Sequence, residues 1–165
     1  MRFFTRLALP ACLIALCAPP GLPVNVQAHM TPPDFHAADA QGQTYRLSDV
    51  IGKKVVLLAF MTTWCGDCRP ELHEMSDYYE AHKSDVIVLG VDTQESTSKV
   101  KAFIDQMRLT FPVLSDADGS ITQLYNVKGW PTNFIIGYDG KVFTRINKIA
   151  DLNGLISRAL ETRPK

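Results

Sequence analysis

The chain has little cysteine, no charge imbalance and no long apolar run, and each shortage removes a class of reading. Its 165 residues carry 17 Lys plus Arg against 17 Asp plus Glu. With no net charge and no basic run, nothing is present to neutralise a phosphate backbone, and nucleic-acid binding is excluded. The apolar core nearest the start, Leu7 to Ala18, is twelve residues long, whereas a spanning helix needs about 20. Internal repeats and low-complexity linkers are absent. Histidine does not occur after His82, and there is no second closely spaced cysteine pair beyond Cys65 and Cys68 in the body of the chain. What remains is ordinary globular material: 46 % apolar residues, with eight Phe, five Tyr and two Trp, enough for one domain and one core.

The first thirty residues differ from the rest. Arg2 and Arg6 precede the apolar stretch Leu7–Ala18, which runs into Pro19-Pro20-Gly21 and then Val26-Gln27-Ala28. A positive start, an apolar middle and small or aliphatic residues at the two positions a signal peptidase reads make a secretory signal, expected over residues 1–28. Pro10, Pro19, Pro20 and Pro23 would break a spanning helix. No charge occurs between Arg6 and Asp34, so an uncleaved membrane anchor stays open. The expectation is an extracytoplasmic, periplasm-type location. The domain is expected over residues 33–165, and without the leader the chain has 15 basic against 17 acidic residues, a net of −2.

Of the four cysteines, Cys12 and Cys17 lie in the leader, so the domain keeps Cys65 and Cys68. Exported proteins usually use cysteines as staples. Two cysteines three positions apart close almost no loop and restrain the unfolded chain little, so stapling is a poor reason for this pair.

Val55-Val56-Leu57-Leu58-Ala59-Phe60 is a continuous apolar run, the mark of a strand buried on both faces, and Asp85 to Val91 is a second. Asn133–Tyr138 and Lys141–Ile146 flank Asp139-Gly140, a hairpin signal. Asp34–His36 and Thr44–Leu47 are expected to pair as a short hairpin ahead of the main fold. Val100, Phe103, Ile104 and Met107 recur at helical spacing behind Ser96 or Ser98, and Leu152, Leu155, Ile156, Ala159 and Leu160 do so behind an Asp151 cap. Leu72, Met75 and Tyr79 give a weaker stripe, and a short helix is expected over residues 119–125. Strands alternating with helices and closed by a hairpin predict an α/β fold, a mixed central sheet flanked by helices.

Thr63-Trp64-Cys65-Gly66-Asp67-Cys68-Arg69-Pro70-Glu71 follows the first buried strand and opens a helix. A helix start presents unpaired N–H groups and about half a positive charge. A thiolate at Cys65 is favoured there and is expected to titrate well below the free-thiol value of about 8.5. Cys65 would attack a substrate disulfide, and Cys68, nearly a turn further on, would resolve the mixed disulfide. Zinc is disfavoured: a lone pair lacks partner ligands, and His73 and His82 are nine residues apart, outside the usual spacing. No metal and no cofactor is called for.

In combination, Trp64-Cys65-x-x-Cys68-Arg69-x-Glu71, the apolar strand before it, Phe111-Pro112-Val113-Leu114-Ser115-Asp116, Gly129-Trp130-Pro131-Thr132 with Asn133-Phe134-Ile135-Ile136, and the Gly140-Lys141-Val142 turn resemble the TlpA/ResA-like thioredoxin-fold thiol–disulfide oxidoreductases. The resemblance runs from about Pro33 to the C-terminus. It implies a thioredoxin-like fold with an N-terminal β-hairpin extension, and a cis-proline at Pro131 packed opposite the cysteines. It also implies that the backbone of Trp130 is free to pair with an extended client segment, with Trp64 on the same client-facing side. Glu71 would tune both thiols and carry the proton of Cys68; thioredoxins proper place such an acid on the preceding strand, where this chain has Ala59. Gly66 and Asp67 occupy the redox-tuning positions, and Asp67 stands where the family usually has proline. Its negative charge is expected to oppose the helix dipole at Cys65. His73 replaces a proline found further along the family's helix, so the usual kink is not expected there, while Pro70 offers an earlier one.

The partners implied are a disulfide-bearing exported client, such as apocytochrome c or a copper-site cysteine pair, and a membrane electron donor for re-reduction. Other functions stay open. Thr62-x-x-Cys65 partly matches a peroxidatic motif, although Leu58 stands where that motif wants proline. A disulfide-donating oxidase usually carries a helical insertion, and only 62 residues separate Cys68 from Pro131. A Cu(I) carrier using Cys65 and Cys68 would want a late histidine, which this chain lacks.

Overall fold

The computed structural model of the protein describes residues 22–164. Apolar continuity places the central strand: β3 (Val55–Met61) is buried at every position and pairs on both sides, parallel to β4 (Val86–Thr93) and antiparallel to β6 (Thr132–Ile136). β5 (Val113–Asp116) extends the sheet beside β4, and β7 (Val142–Ile146) closes the other edge, giving the order β5-β4-β3-β6-β7. A mixed sheet flanked by helices, with a hairpin ahead of it, is the thioredoxin-like architecture expected.

Alternation along the strands sorts the core into two layers. Val55, Leu57, Ala59 and Met61 face α1 (Cys68–His82), α2 (Thr97–Met107) and α4 (Leu152–Leu160). Val56, Leu58 and Phe60 face the other way, onto Phe35, Leu47, Ile121, Tyr125 and Phe134. Ile121 belongs to the short α3 (Ser120–Leu124). Phe60, Tyr125 and Phe134 meet tilted or edge-on at centroid distances of 5.3–5.8 Å, the arrangement the ring quadrupole favours.

The expected hairpin forms later and shorter than its sequence signal, as β1 (His36–Ala38) with β2 (Thr44–Arg46). Asp34 is not in the strand; its carboxylate accepts from Ser48 N–H at 2.9 Å and Ser48 Oγ at 3.0 Å. The hairpin lies along the free side of β5 through Asp39 and Leu114, with Ala40 N–H donating to Val113 O at 3.2 Å, so that sheet edge is covered. β5 has no counterpart among the strands expected from composition; four residues after a proline carry too little pattern to show one. α2 and α4 lie where their spacing puts them, and Asp151 caps α4 by accepting from Gly154 N–H at 2.8 Å. Gly140, at φ +73°, makes the turn between β6 and β7.

Pro70 does not kink α1. It is the third residue of the helix, where its missing N–H is one that lacks an intrahelical partner anyway. The helix runs unbroken to His82.

Part of the expected leader also packs on the domain. Val26 is fully buried, and Val24 N–H donates to Leu124 O at 2.8 Å. A chain beginning at His29 is therefore expected to be less stable than one beginning at Leu22. Loss of one buried valine predicts a difference of about 1.5 kcal/mol, read as a lower urea midpoint with unchanged slope.

Candidate redox site

Where β3 ends, the chain turns through residues 62–67 before α1 begins at Cys68. Cys65 N–H donates to Thr62 O at 3.2 Å, and this turn brings Cys65 back over the helix start. Cys65 and Cys68 are joined in a disulfide, with Cα atoms 5.4 Å apart. Cys65 therefore precedes the helix instead of lying in its first turn, and its sulfur occupies the helix N-terminus. Cys68 N–H, one of the donors without an intrahelical acceptor, points at Cys65 Sγ from 3.1 Å. A negative charge developing on that sulfur meets a backbone donor and the positive end of α1. Both residues are buried in the disulfide form, Cys65 at 5 % exposed and Cys68 at 2 %.

Asp67 stands at the capping position but makes no side-chain cap. It is exposed, and it leaves the helix N–H groups to the sulfur. Gly66 is exposed, and a Cβ there would meet nothing within 4 Å, so packing does not demand glycine.

On the facing side, Phe60 of β3 pairs with Thr132 of β6. The chain leaving β3 and the chain entering β6 thus emerge at the same end of the sheet. The Trp130–Pro131 bond there is cis. Trp64 is 64 % exposed and meets Trp130 edge-on, with ring centroids 5.5 Å apart. Trp130 Nε1–H donates to Thr93 Oγ1 at 3.2 Å. Beside these rings opens a cleft of about 450 Å³, bounded by Thr62, Gln94, Glu95 and Lys99 among others.

Glu71 lies on the buried side of α1, one turn beyond Cys68. Its Oε2 accepts from Asn133 Nδ2 and its Oε1 from Ile149 N–H, each at 3.0 Å. Asn133 is the ladder partner of Ala59, and the small alanine leaves this strip of sheet to the Glu71 carboxyl. Burial raises its pKa above the ordinary 4.5 and Glu74 adds to the rise, outweighing the two hydrogen bonds and Lys148, which lower it.

Three side chains absent from the expected site also shape it. Arg69 Nη2 donates to Thr63 O at 3.2 Å while its guanidinium lies over Phe103, 5.1 Å from the ring centroid. Glu95 accepts from Thr63 N–H at 2.5 Å and from Thr63 Oγ1 at 2.8 Å. Asp92 is buried beside it. The available signal was Asp92 near the end of an otherwise apolar strand and Glu95 in the loop just beyond it.

A sequence model of the AhpC/TSA family matches residues 29–145. The chain is 38 % identical over 115 residues to the thiol-disulfide oxidoreductase ResA of Bacillus thuringiensis subsp. konkukian, covering 69 % of this chain and 66 % of that protein, just under two thirds of its length. It is 36 % identical over 122 residues to the thioredoxin-like protein YneN of Bacillus subtilis, covering 72 % of this chain and 71 % of that one. Among solved structures, a secreted Mycobacterium tuberculosis disulfide oxidoreductase homologous to E. coli DsbE superposes with a TM-score of 0.67 at 28 % identity, covering 75 % of this chain and 95 % of its own.

Proposed function

The chain belongs to the AhpC/TSA family and is ResA-like, and from that premise we propose that it is an exported thiol–disulfide oxidoreductase that reduces disulfides in exported client proteins. One observation carries the reading: the Cys65–Cys68 pair sits at the head of α1 with the Cys68 N–H aimed at the Cys65 sulfur. In the reduced protein the Cys65 thiolate attacks a client disulfide, forming a mixed disulfide and releasing one client thiolate. Cys68, as thiolate, then attacks the Cys65 sulfur; the Cys65–Cys68 bridge forms and the second client thiolate leaves. Two electrons pass to the client, and a membrane electron donor restores the dithiol. Apocytochrome c or a copper-site cysteine pair has the required chemistry. The Trp130 backbone beside Pro131 would pair with the client segment by strand addition, and Trp64 would cover it.

Export rests on the leader pattern of residues 1–28, most of which lies outside the described residues. Among the described residues no helix is long and apolar enough to cross a membrane.

The midpoint potential of the Cys65–Cys68 couple tests the direction of transfer. A value near or below about −270 mV is expected of a reductant, and a value near about −120 mV would mark a disulfide donor and contradict the proposal. The Asp67→Pro variant should be less reducing than the native protein, because losing the charge beside Cys65 favours its thiolate and hence the dithiol form. An equal or more negative potential in that variant would refute the role given to Asp67.

A further inference from the structure

The site end of β4 and the loop after it hold two acids, Asp92 and Glu95, that the exchange cycle does not use. Asp92 stands in the ladder between Met61 of β3 and Ser115 of β5 and is 1 % exposed. Neither of its carboxyl oxygens accepts a hydrogen bond from a donor group among the described residues. Glu95, three residues on, faces it with a second carboxyl. A carboxyl this buried, with no donor among the described residues to stabilise it as an anion and a second acid facing it, keeps its proton, so Asp92 is the neutral member.

Glu95 is the anionic member. Its side chain is 6 % exposed and pairs with the Lys99 ammonium, while its two oxygens hold the N–H and the hydroxyl of Thr63. Arg69 holds the Thr63 carbonyl from the other side. Thr63 is two residues before Cys65, so both polar groups of its backbone are gripped as the chain enters the turn that carries the sulfur.

We propose that Asp92 and Glu95 are a proton-sharing pair that positions the Thr63-Trp64-Cys65 segment: with the proton on Asp92, Glu95 holds Thr63, and loss of that proton loosens the hold. These are positioning residues, acting on Cys65 through Thr63. The kinetic part of this inference rests on reading Cys65 as the nucleophile; the structural part does not.

The electrostatics set the pH at which the device acts. Facing Asp92 are Glu95 from the loop after β4, Asp116 from β5 and Lys99 from α2; Met61 and Ser115, its ladder partners, are uncharged. Asp116 is already held by Ile121 N–H, Thr122 N–H and Thr122 Oγ1 at 2.6–2.9 Å. Ionising Asp92 therefore adds a further anion beside two acids, and the facing cation, Lys99, is half exposed. Burial first, and then the facing Glu95, push Asp92 up to about 8.

NMR on the oxidised protein tests the pairing without interference, because disulfide-bonded cysteines do not titrate. In the native chain the Asp92 carboxyl carbon and the Thr63 amide should move together with a midpoint near about 8. In Asp92→Asn the Thr63 movement in that window should vanish. An Asp92 carbon titrating near the ordinary aspartate value, or Thr63 movement that survives in Asp92→Asn, overturns the pairing, and the first readout needs only the native protein. For the reduced proteins, the rate of attack on a small aromatic disulfide is measured between pH 7 and 9.5. The native rate relative to Asp92→Asn should fall about threefold or more across that range, as expected for a reacting atom slightly misplaced. A constant ratio removes the positioning role. Should the native protein fail to attack the disulfide at all, the function proposed above fails, while the NMR result still decides whether Asp92 and Glu95 share a proton.

Discussion

Replacing Cys65 by serine should lower the rate at which the reduced protein cleaves a model disulfide by a factor on the order of 10³ or more, as removal of a nucleophile does. A serine hydroxyl is not ionised near neutral pH, so the Cys68 N–H that points at Cys65 Sγ from 3.1 Å would have no anion to stabilise. Cys68 does not substitute for it: its own N–H points at the Cys65 sulfur, so the backbone donor at the helix start serves Cys65. The Cys68→Ala variant separates the two roles. It should still attack, and then stall as a covalent adduct joined through Cys65, visible as a mass increase that a thiol reverses. Cleavage by Cys65→Ser within tenfold of the native rate, or an adduct through Cys68 in the native protein, would reverse the assignment.

Glu71→Ala should cost about 2–4 kcal/mol of stability, because it leaves two buried donors, Asn133 Nδ2 and Ile149 N–H, without their acceptor. Glu71→Gln removes the titrating group at the same volume and keeps one acceptor oxygen for the two donors, a change that does not itself vary with pH. Burial holds the Glu71 pKa above 4.5, so the folded protein binds this proton more tightly than the unfolded chain. The stability contributed by Glu71 is therefore whole below about pH 4.5 and declines as pH rises through its raised folded value. Between pH 4 and pH 7 the native protein should lose more stability than Glu71→Gln, measured by urea unfolding; parallel losses would contradict the raised value. If Glu71 also carries the proton of Cys68, the Gln variant should slow resolution of the mixed disulfide by roughly 10²-fold while leaving the first attack much less affected.

The parts of the structure legible in the sequence are those whose signal is local. β3 and β4 appeared as apolar runs because both faces of a central strand are covered, and Asp139-Gly140 marked the β6–β7 turn because glycine supplies the positive φ that turn uses. The Cys65–Cys68 pair was legible in its own spacing and strand-to-helix setting, and the cis bond before Pro131 through the resemblance. Elements defined by distant partners were not. β5 is a strand because Val113 and Leu114 meet Gly90 and Val91 across the sheet, which four residues in isolation cannot announce. α1 showed only a weak apolar stripe because Glu71 and Ser76 take inward positions. Asp92 and Glu95 gave the faintest signal: an acid near the end of an apolar strand usually marks the return to solvent, and here Asp92 is buried. Val26, read as the close of a leader, is buried in the layer opposite α1.

Every step of the exchange requires Cys65 to be the ionised sulfur of the pair. The direct measurement is alkylation of the reduced protein by iodoacetamide as a function of pH, read separately for the peptides carrying Cys65 and Cys68. Modification of Cys65 should come first, with a midpoint well below the free-thiol value of about 8.5. Modification of Cys68 first, or a Cys65 midpoint at or above that value, would contradict it.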